Sequence, residues 1–269
     1  MSAFKEYAMT DLIVLCPNPF RDTGLELTLK AKSLLETNGY RTEICPVFGA
    51  DDPDAIPQNI RISDWNSVSG DAALFVIIGG DGTMLHAARY LNHTDTPMLG
   101  INLGTKGFMA PLEPDKLELI LDAAAGNYVS SYRMMIDVEL KRNGKVIYSD
   151  VGLNDVVIHG MGDCIKLTAW CDGDMMVSFS GDGIIVSPIC AHVMGAKTFV
   201  LGPDRKVTVK AEKIHDRRAY VSVDGAKGID LANDDIVTVR QSKKVANLVH
   251  MGLSSFYDST FDKLLYKNR

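Results

Sequence analysis

The spacing of apolar residues changes character near residue 126. Before it, short continuous apolar runs alternate with stretches of helical spacing. Residues 11–16 (DLIVLC), 73–78 (ALFVII) and 97–102 (PMLGIN) are runs of strand length, the pattern of strands buried on both faces. Residues 41–47 predict a further strand. Residues 24–38 carry leucines at 25, 27, 29, 34 and 35 with charges between them and Gly39 at the stop, which predicts a capped helix. Met84, Leu85, Ala88 and Leu91 recur at helical spacing, and 113–125 reads as a helix with Pro114 in its first turn. Residues 49–70 are rich in Asp, Pro and Asn and predict a loop with at most a short helix. Such alternation gives a parallel sheet covered by helices, with ligands at the carboxyl ends of the strands.

After residue 126 the apolar positions alternate instead. Residues 133–140 and 146–149 flank Arg142-Asn143-Gly144-Lys145, a hairpin turn signal. Further short strands are predicted at 151–159, 165–171, 175–180, 183–187, 198–201, 206–211, 219–223, 236–240 and 245–249, with Asp172-Gly173-Asp174 as a turn. Residues 254–265 predict a terminal helix burying Phe256, Phe261, Leu264 and Leu265. The expected fold class is α/β plus all-β. A Rossmann-like parallel α/β domain spans 1–126, an antiparallel β-sandwich spans 127–251, and 252–269 packs back on the first domain.

Composition narrows the function classes. The 46% hydrophobic content supports real cores, while the net charge of −6 and pI near 5.5 imply no basic face for nucleic acid. No apolar stretch has the length of a membrane span, and the first residues lack the apolar core of a signal peptide, so the expectation is a soluble cytoplasmic protein. The cysteines at 16, 45, 164, 171 and 190 form no CxxC pair and read as reduced, mostly core thiols.

The chemistry concentrates where the third strand ends. In Val76-Ile77-Ile78-Gly79-Gly80-Asp81-Gly82-Thr83 a strand, a tight turn and a helix start follow one another, and the free N–H groups of a helix N-terminus make an anion site. Asp81 would repel phosphate there, unless a divalent cation bridges the two or the carboxylate accepts a proton from a hydroxyl nucleophile. Both readings point to phosphoryl transfer. The bland alternative is a helix cap. A second glycine-rich turn, 104–107, follows the next strand. Asn154 and Asp155 sit side by side at the start of an apolar strand, where they either cap a turn or hydrogen-bond a ligand. A further Gly-Asp-Gly, containing Asp182, precedes the strand at 183–187 and by itself reads as a hairpin turn before it reads as a site. The histidines at 86, 159, 192, 215 and 250 show no metal-like grouping, and no protein metal cluster is expected.

Taken together, these segments resemble bacterial NAD kinases. The resemblance runs from Gly79-Gly80-Asp81-Gly82 through Asn102, Gly104, Gly107 and Phe108, then 153–157 (LNDVV), 182–187 (DGIIVS), 188–192 (PICAH) and Val223-Asp224-Gly225. The glycine loop alone also occurs in diacylglycerol, sphingoid-lipid and phosphofructokinases. The resemblance implies an NAD-binding β-rich domain, a homodimer or homotetramer, and transfer of phosphate from ATP, or polyphosphate, to the adenosine 2′-hydroxyl of NAD with Mg²⁺ or another divalent cation. It would make Asp81 the general base or metal-linked carboxylate and place Gly80, Gly82 and His86 near the phosphates. Asn154 and Asp155 would hold ribose and adenine, and Asp182 would face the nicotinamide side. The chain departs from the family where Ser187 joins Pro188 directly: a T-P-T-G-S-T-A-Y loop and a following helix are missing, which predicts impaired catalysis. Ala226 and Ser180 replace the family's usual glutamine and basic residue. The alternatives are a lipid (diacylglycerol-type) kinase and a non-catalytic nucleotide-binding relative.

Overall fold

A computed structural model describes residues 11–50, 52, 54–105, 107–160, 165–171, 183–189, 197–212, 214 and 217–252. The chain divides into two compact units, Met1–Arg133 with Val245–Arg269 and Met134–Lys244.

The first unit alternates strands and helices in the predicted order. These are β1 (Leu12–Pro17), α1 (Glu26–Thr37), β2 (Arg41–Ile44), α2 (Trp65–Val68), β3 (Ala72–Gly79), α3 (Asp81–Tyr90), β4 (Met98–Asn102) and α4 (Leu119–Ala124). The strands lie in the order β2-β1-β3-β4 and all pair in parallel. Every residue of β1 and β4 is buried, as are the last six of β3, so these runs carry no polar alternation. Leu15, Val76, Ile78, Leu99 and Ile101 pack with Ala31 and Leu35 of α1 and with Ile120 and Ala123 of α4. Helix α1 is entered through left-handed Gly24 and Leu25, and the buried Asp22 carboxylate accepts from the N–H groups of Leu27 (3.0 Å) and Thr28 (2.9 Å). That carboxylate complements the helix dipole. The helix expected at 113–125 is divided: Pro114–Lys116 forms one tight 3-10 turn, and the α-helical part starts at Leu119.

The second unit is antiparallel. It contains most of β5 (Val129–Arg142), then β6 (Lys145–Gly152), β7 (Val156–Gly160), β8 (Lys166–Cys171), β9 (Ile184–Val186), β10 (Phe199–Leu201), β11 (Lys206–Glu212), β12 (Ala219–Val223), β13 (Ile229–Asp230) and the first part of β14 (Ile236–His250). β5 pairs with β6 through a turn in which Asn143 and Gly144 both have positive φ, as the Asn-Gly pair demands. β11 pairs with β8 and β14, β12 with β7 and β13, and β9 with β10. Val138, Leu140, Leu201, Val207, Val221, Val223, Val237 and Val239 bury a single core among these strands, the arrangement of a sandwich. The fully buried Asp235 accepts two bonds from Arg142 Nε and one from Nη2, and a further one from the Ala232 N–H.

Three expectations change. The strands predicted at 236–240 and 245–249 are one, β14, whose last residues continue into the first unit and pair in parallel with β4 at Leu248 and Met98. The strand runs unbroken through polar Gln241 to Lys244, where Ser242 is buried. The run at 151–159 is interrupted at 153–155 between β6 and β7. The two-residue strand β13 is too short to leave a period in the sequence. The strand expected at 175–180, the turn at 172–174 and the helix at 254–265 lie outside the described residues.

Candidate functional site

In the first unit the two glycine-rich turns are laced together. The Leu103 N–H donates to the Gly79 carbonyl at 2.7 Å, so the ends of β3 and β4 are tied by main chain. Asn102 is buried at the end of β4. Its Oδ1 accepts from the Gly104 N–H at 2.9 Å, and its Nδ2 donates to Glu113 Oε1 at 3.4 Å. Gly107 has φ +63°, and a Cβ there would lie 2.5 Å from Asn102 Nδ2, so only glycine closes this turn.

Asp81 is the first residue of α3, and Gly80 is its N-cap. Its two carboxylate oxygens take different donors: Oδ2 accepts from the Phe108 N–H at 3.1 Å and Oδ1 from the Met109 N–H at 2.8 Å. The carboxylate therefore clamps the 107–109 loop to the start of α3. Each oxygen retains a lone pair toward its surroundings. The Gly80 N–H donates to Thr83 Oγ1, which also receives a bond from Asn18 Nδ2 at 3.2 Å. The N–H groups of Thr83 and Met84 both donate to the Gly80 carbonyl, at 2.9 and 3.1 Å, so the Asp81 and Gly82 N–H groups are the ones a helix start offers to an outside anion. A Cβ on Gly82 would meet nothing within 4 Å. The protein itself does not require glycine at 82; the close approach of a phosphate would. His86 lies farther along α3, with its ring edge-on to Phe48 at 4.6 Å.

In the second unit the link between β6 and β7 is organised around a buried carboxylate. Asp224 Oδ2 accepts from the Leu153 N–H at 2.6 Å, and Oδ1 accepts from the N–H groups of Asn154 (2.8 Å) and Asp155 (2.9 Å). Its own N–H donates to the Asp155 carbonyl at 3.0 Å. Asp224 is 4% exposed, whereas Asn154 and Asp155 are exposed. The Asn154 amide donates to Asp155 Oδ2 at 3.2 Å, and among the described residues neither side chain bonds to main chain. The turn is capped by Asp224, which leaves the functional ends of Asn154 and Asp155 for something else. The Asp155 carboxyl holds its proton above the ordinary value: partial burial is the largest cause and the Asp224 charge the next, against a lowering by the Asn154 amide.

Asp224, Asn102 and Glu113 were not among the site residues expected from sequence. A type I′ signal, Asp-Gly at 224–225, marks the turn, and both residues do have positive φ. Nothing local shows that the carboxylate reaches amides 69 to 71 residues away. Asp182 lies outside the described residues. Among the described residues no group of three or more His, Cys, Asp or Glu is placed to hold a metal ion.

Known protein families and structures resemble the chain over most of its length. Residues 29–126 match the ATP-NAD kinase N-terminal domain and residues 128–251 the ATP-NAD kinase C-terminal domain. The NAD kinase of Natranaerobius thermophilus is 32% identical over 230 residues, covering 74% of this chain and 80% of that protein. The NAD kinase of Ruminiclostridium cellulolyticum is 24% identical over 270 residues, covering 89% and 93%. Among solved structures, yeast NADH kinase complexed with NADH superposes with a TM-score of 0.78 at 18% identity, covering 97% of this chain and 89% of that one. The Archaeoglobus fulgidus NAD kinase in complex with ATP gives 0.56 at 19% identity, covering 94% and 98%. These structures share the fold.

Proposed function

Because the chain belongs to the ATP-NAD kinase family, we propose that it transfers a phosphoryl group from ATP to the adenosine 2′-hydroxyl of NAD, giving NADP. The observation that carries this reading is the division of labour at 153–155: Asp224 satisfies the main chain, so the exposed Asn154 amide and Asp155 carboxylate, which share one bond with each other, keep further donor and acceptor sites for a ligand. An amide offers a donor and an acceptor to ribose or adenine, and a carboxylate accepts from a hydroxyl or an amine. A lipid kinase would call for an apolar surface in that place.

In this reading the first unit presents the donor phosphates to the start of α3, near Gly80, Gly82 and His86, and the lone pairs left on Asp81 accept the proton of the attacking hydroxyl or face a cation. Residues 127–251 take the dinucleotide. The donor set fits a divalent cation carried mainly by nucleotide phosphates, since Asp81 already receives two N–H groups and among the described residues no cluster of protein ligands accompanies it. Such a cation, when bound, supplies neutralising charge on the phosphates. Asp182 is assigned to the nicotinamide side by family pattern. The family also implies a homodimer or homotetramer in the cytoplasm; no helix among the described residues is long and apolar enough to cross a membrane.

Thermal-shift titration separates the readings. NAD and ATP should each raise Tm, with about 2.7 kcal/mol of stabilisation at a hundredfold excess over Kd. Stabilisation by a diacylglycerol and not by NAD would overturn the proposal.

Asp155 makes a second test. Its carboxyl has a proton affinity raised by folding, so its favourable contribution to stability is present at pH below the ordinary carboxylate range and is lost as pH rises through the raised value. At neutral pH its charge opposes folding. Asp155→Asn should therefore leave Tm unchanged or higher at neutral pH, with the gain over wild type growing as pH rises through that window. NAD affinity should weaken by about 1–3 kcal/mol. A mutant that loses Tm and keeps its affinity would make Asp155 a structural residue.

A further inference from the structure

The geometry points to Asp224 as the positioning residue that holds the Asn154–Asp155 pair in register for the adenosine end of NAD, an inference that rests on the proposed function. Its carboxylate is buried and surrounded by three consecutive N–H groups, at 2.6, 2.8 and 2.9 Å. Successive amides turned toward one point form a nest for an anion, and here the protein supplies the anion from a distant turn. Charge-assisted bonds of this kind are short and directional, so they fix the main chain from which both ligand-facing side chains project.

The surrounding residues are shaped to this contact. Asp224 and Gly225 adopt left-handed φ of 49° and 70°, and the Ala226 N–H closes the turn on the Val223 carbonyl at 2.9 Å. This brings the carboxylate back under β6. A Cβ on Gly152 would lie 2.7 Å from Val223 Cγ1 and 3.3 Å from Asp224 Oδ1, so the residue just before the nest is a glycine that the Asp224 turn requires. The pairing of β7 with β12 brings Val156 opposite Val223, next to the clamp, and the Asp224 N–H to Asp155 carbonyl bond continues that ladder. Asp224 also contributes, through its charge, to the raised proton affinity of Asp155. One buried group thus sets the placement of the pair and part of its electrostatics without touching the substrate.

The test compares Asp224→Asn with Asp235→Asn, a buried carboxylate of the same unit that is held by Arg142 and lies outside the proposed site. An asparagine at 224 has one acceptor oxygen and turns its NH₂ toward an N–H of the nest. Each variant is assayed well below its own Tm, with calorimetric NAD binding measured in the absence of ATP. Asp224→Asn should raise Kd and KM for NAD by at least about tenfold, the loss of one buried ligand-directed hydrogen bond. KM for ATP should change much less, and Asp235→Asn should change neither. Asp224→Glu, which restores the charge at a longer reach, should recover part of the NAD affinity. If Asp224→Asn does not fold, Gly152→Ala presses first on Val223 Cγ1 and then on the Asp224 carboxylate beside it, keeping the charge while shifting the turn, and should raise KM for NAD in the same selective way. Unchanged NAD affinity in a folded Asp224 or Gly152 variant, or an equal rise in Asp235→Asn, would overturn the inference alone. Failure of the wild-type protein to bind NAD would overturn the proposed function, and this inference with it.

Discussion

Insertion of the family's loop and following helix between Ser187 and Pro188 is expected to raise NADP formation by about 100-fold and to tighten NAD binding. The rate effect follows from positioning: the family resemblance implies that this loop and helix line the dinucleotide pocket, and a displacement of about 1 Å at a reacting centre costs on the order of 100-fold. β9 and β10 pair from Ile184–Leu201 to Val186–Phe199, and Ser187 Oγ contacts Thr198 Oγ1 at 2.9 Å just beyond the ladder. A segment entering after Ser187 leaves that register in place. Ile185 and Ile189 are 68% and 72% exposed, apolar side chains of the kind a packed segment would cover. Circular dichroism and Tm confirm folding of the inserted chain, and steady-state kinetics with NAD read the result. Robust turnover by the present chain, unchanged by the insert, would mean that other residues complete the pocket.

Asp81→Asn is expected to lower kcat for NADP formation by about 10²–10⁴-fold, the usual worth of a positioned general base. The structure adds a second effect to the loss of charge. The carboxylate accepts the Phe108 and Met109 N–H groups on different oxygens, and an amide can serve only one of them while facing the other with NH₂. Stability should therefore fall too, by about 1–3 kcal/mol for one unmade buried bond. Denaturation and initial-rate measurements on the same preparation separate the roles. A variant that is less stable but keeps its kcat would reduce Asp81 to a clamp on the 107–109 loop.

What the sequence made legible was local in origin. β1, β3 and β4 were readable because strands buried on both faces are continuous apolar runs, and the Asn143-Gly144 hairpin because its turn requires positive φ. The glycine turn with Asp81 was visible for the same reason: its spacing sets the end of a strand and the start of a helix. The features that escaped depend on distant partners. β14 continues through polar Gln241 to Lys244 into a segment that pairs with β4, a partner far away in the sequence that no local pattern shows. The break between β6 and β7 exists because Asp224, about 70 residues later, draws three amides out of the ladder. Asn154 and Asp155 read equally as caps or ligand groups until that carboxylate was seen to take the capping role. Likewise, the double anchoring of Asp81 could not be read from Phe108 and Met109, whose contribution is made by main-chain N–H groups rather than by their side chains.

Phosphorylation of NAD at its adenosine 2′-hydroxyl is read from ³¹P NMR of the product. Wild-type protein incubated with NAD, ATP and Mg²⁺ should yield a phosphomonoester resonance coupled to the adenosine 2′ proton, and NAD lacking the 2′-hydroxyl should yield none. A phosphomonoester at any other hydroxyl, or ATP consumption with no change in NAD, would contradict the account.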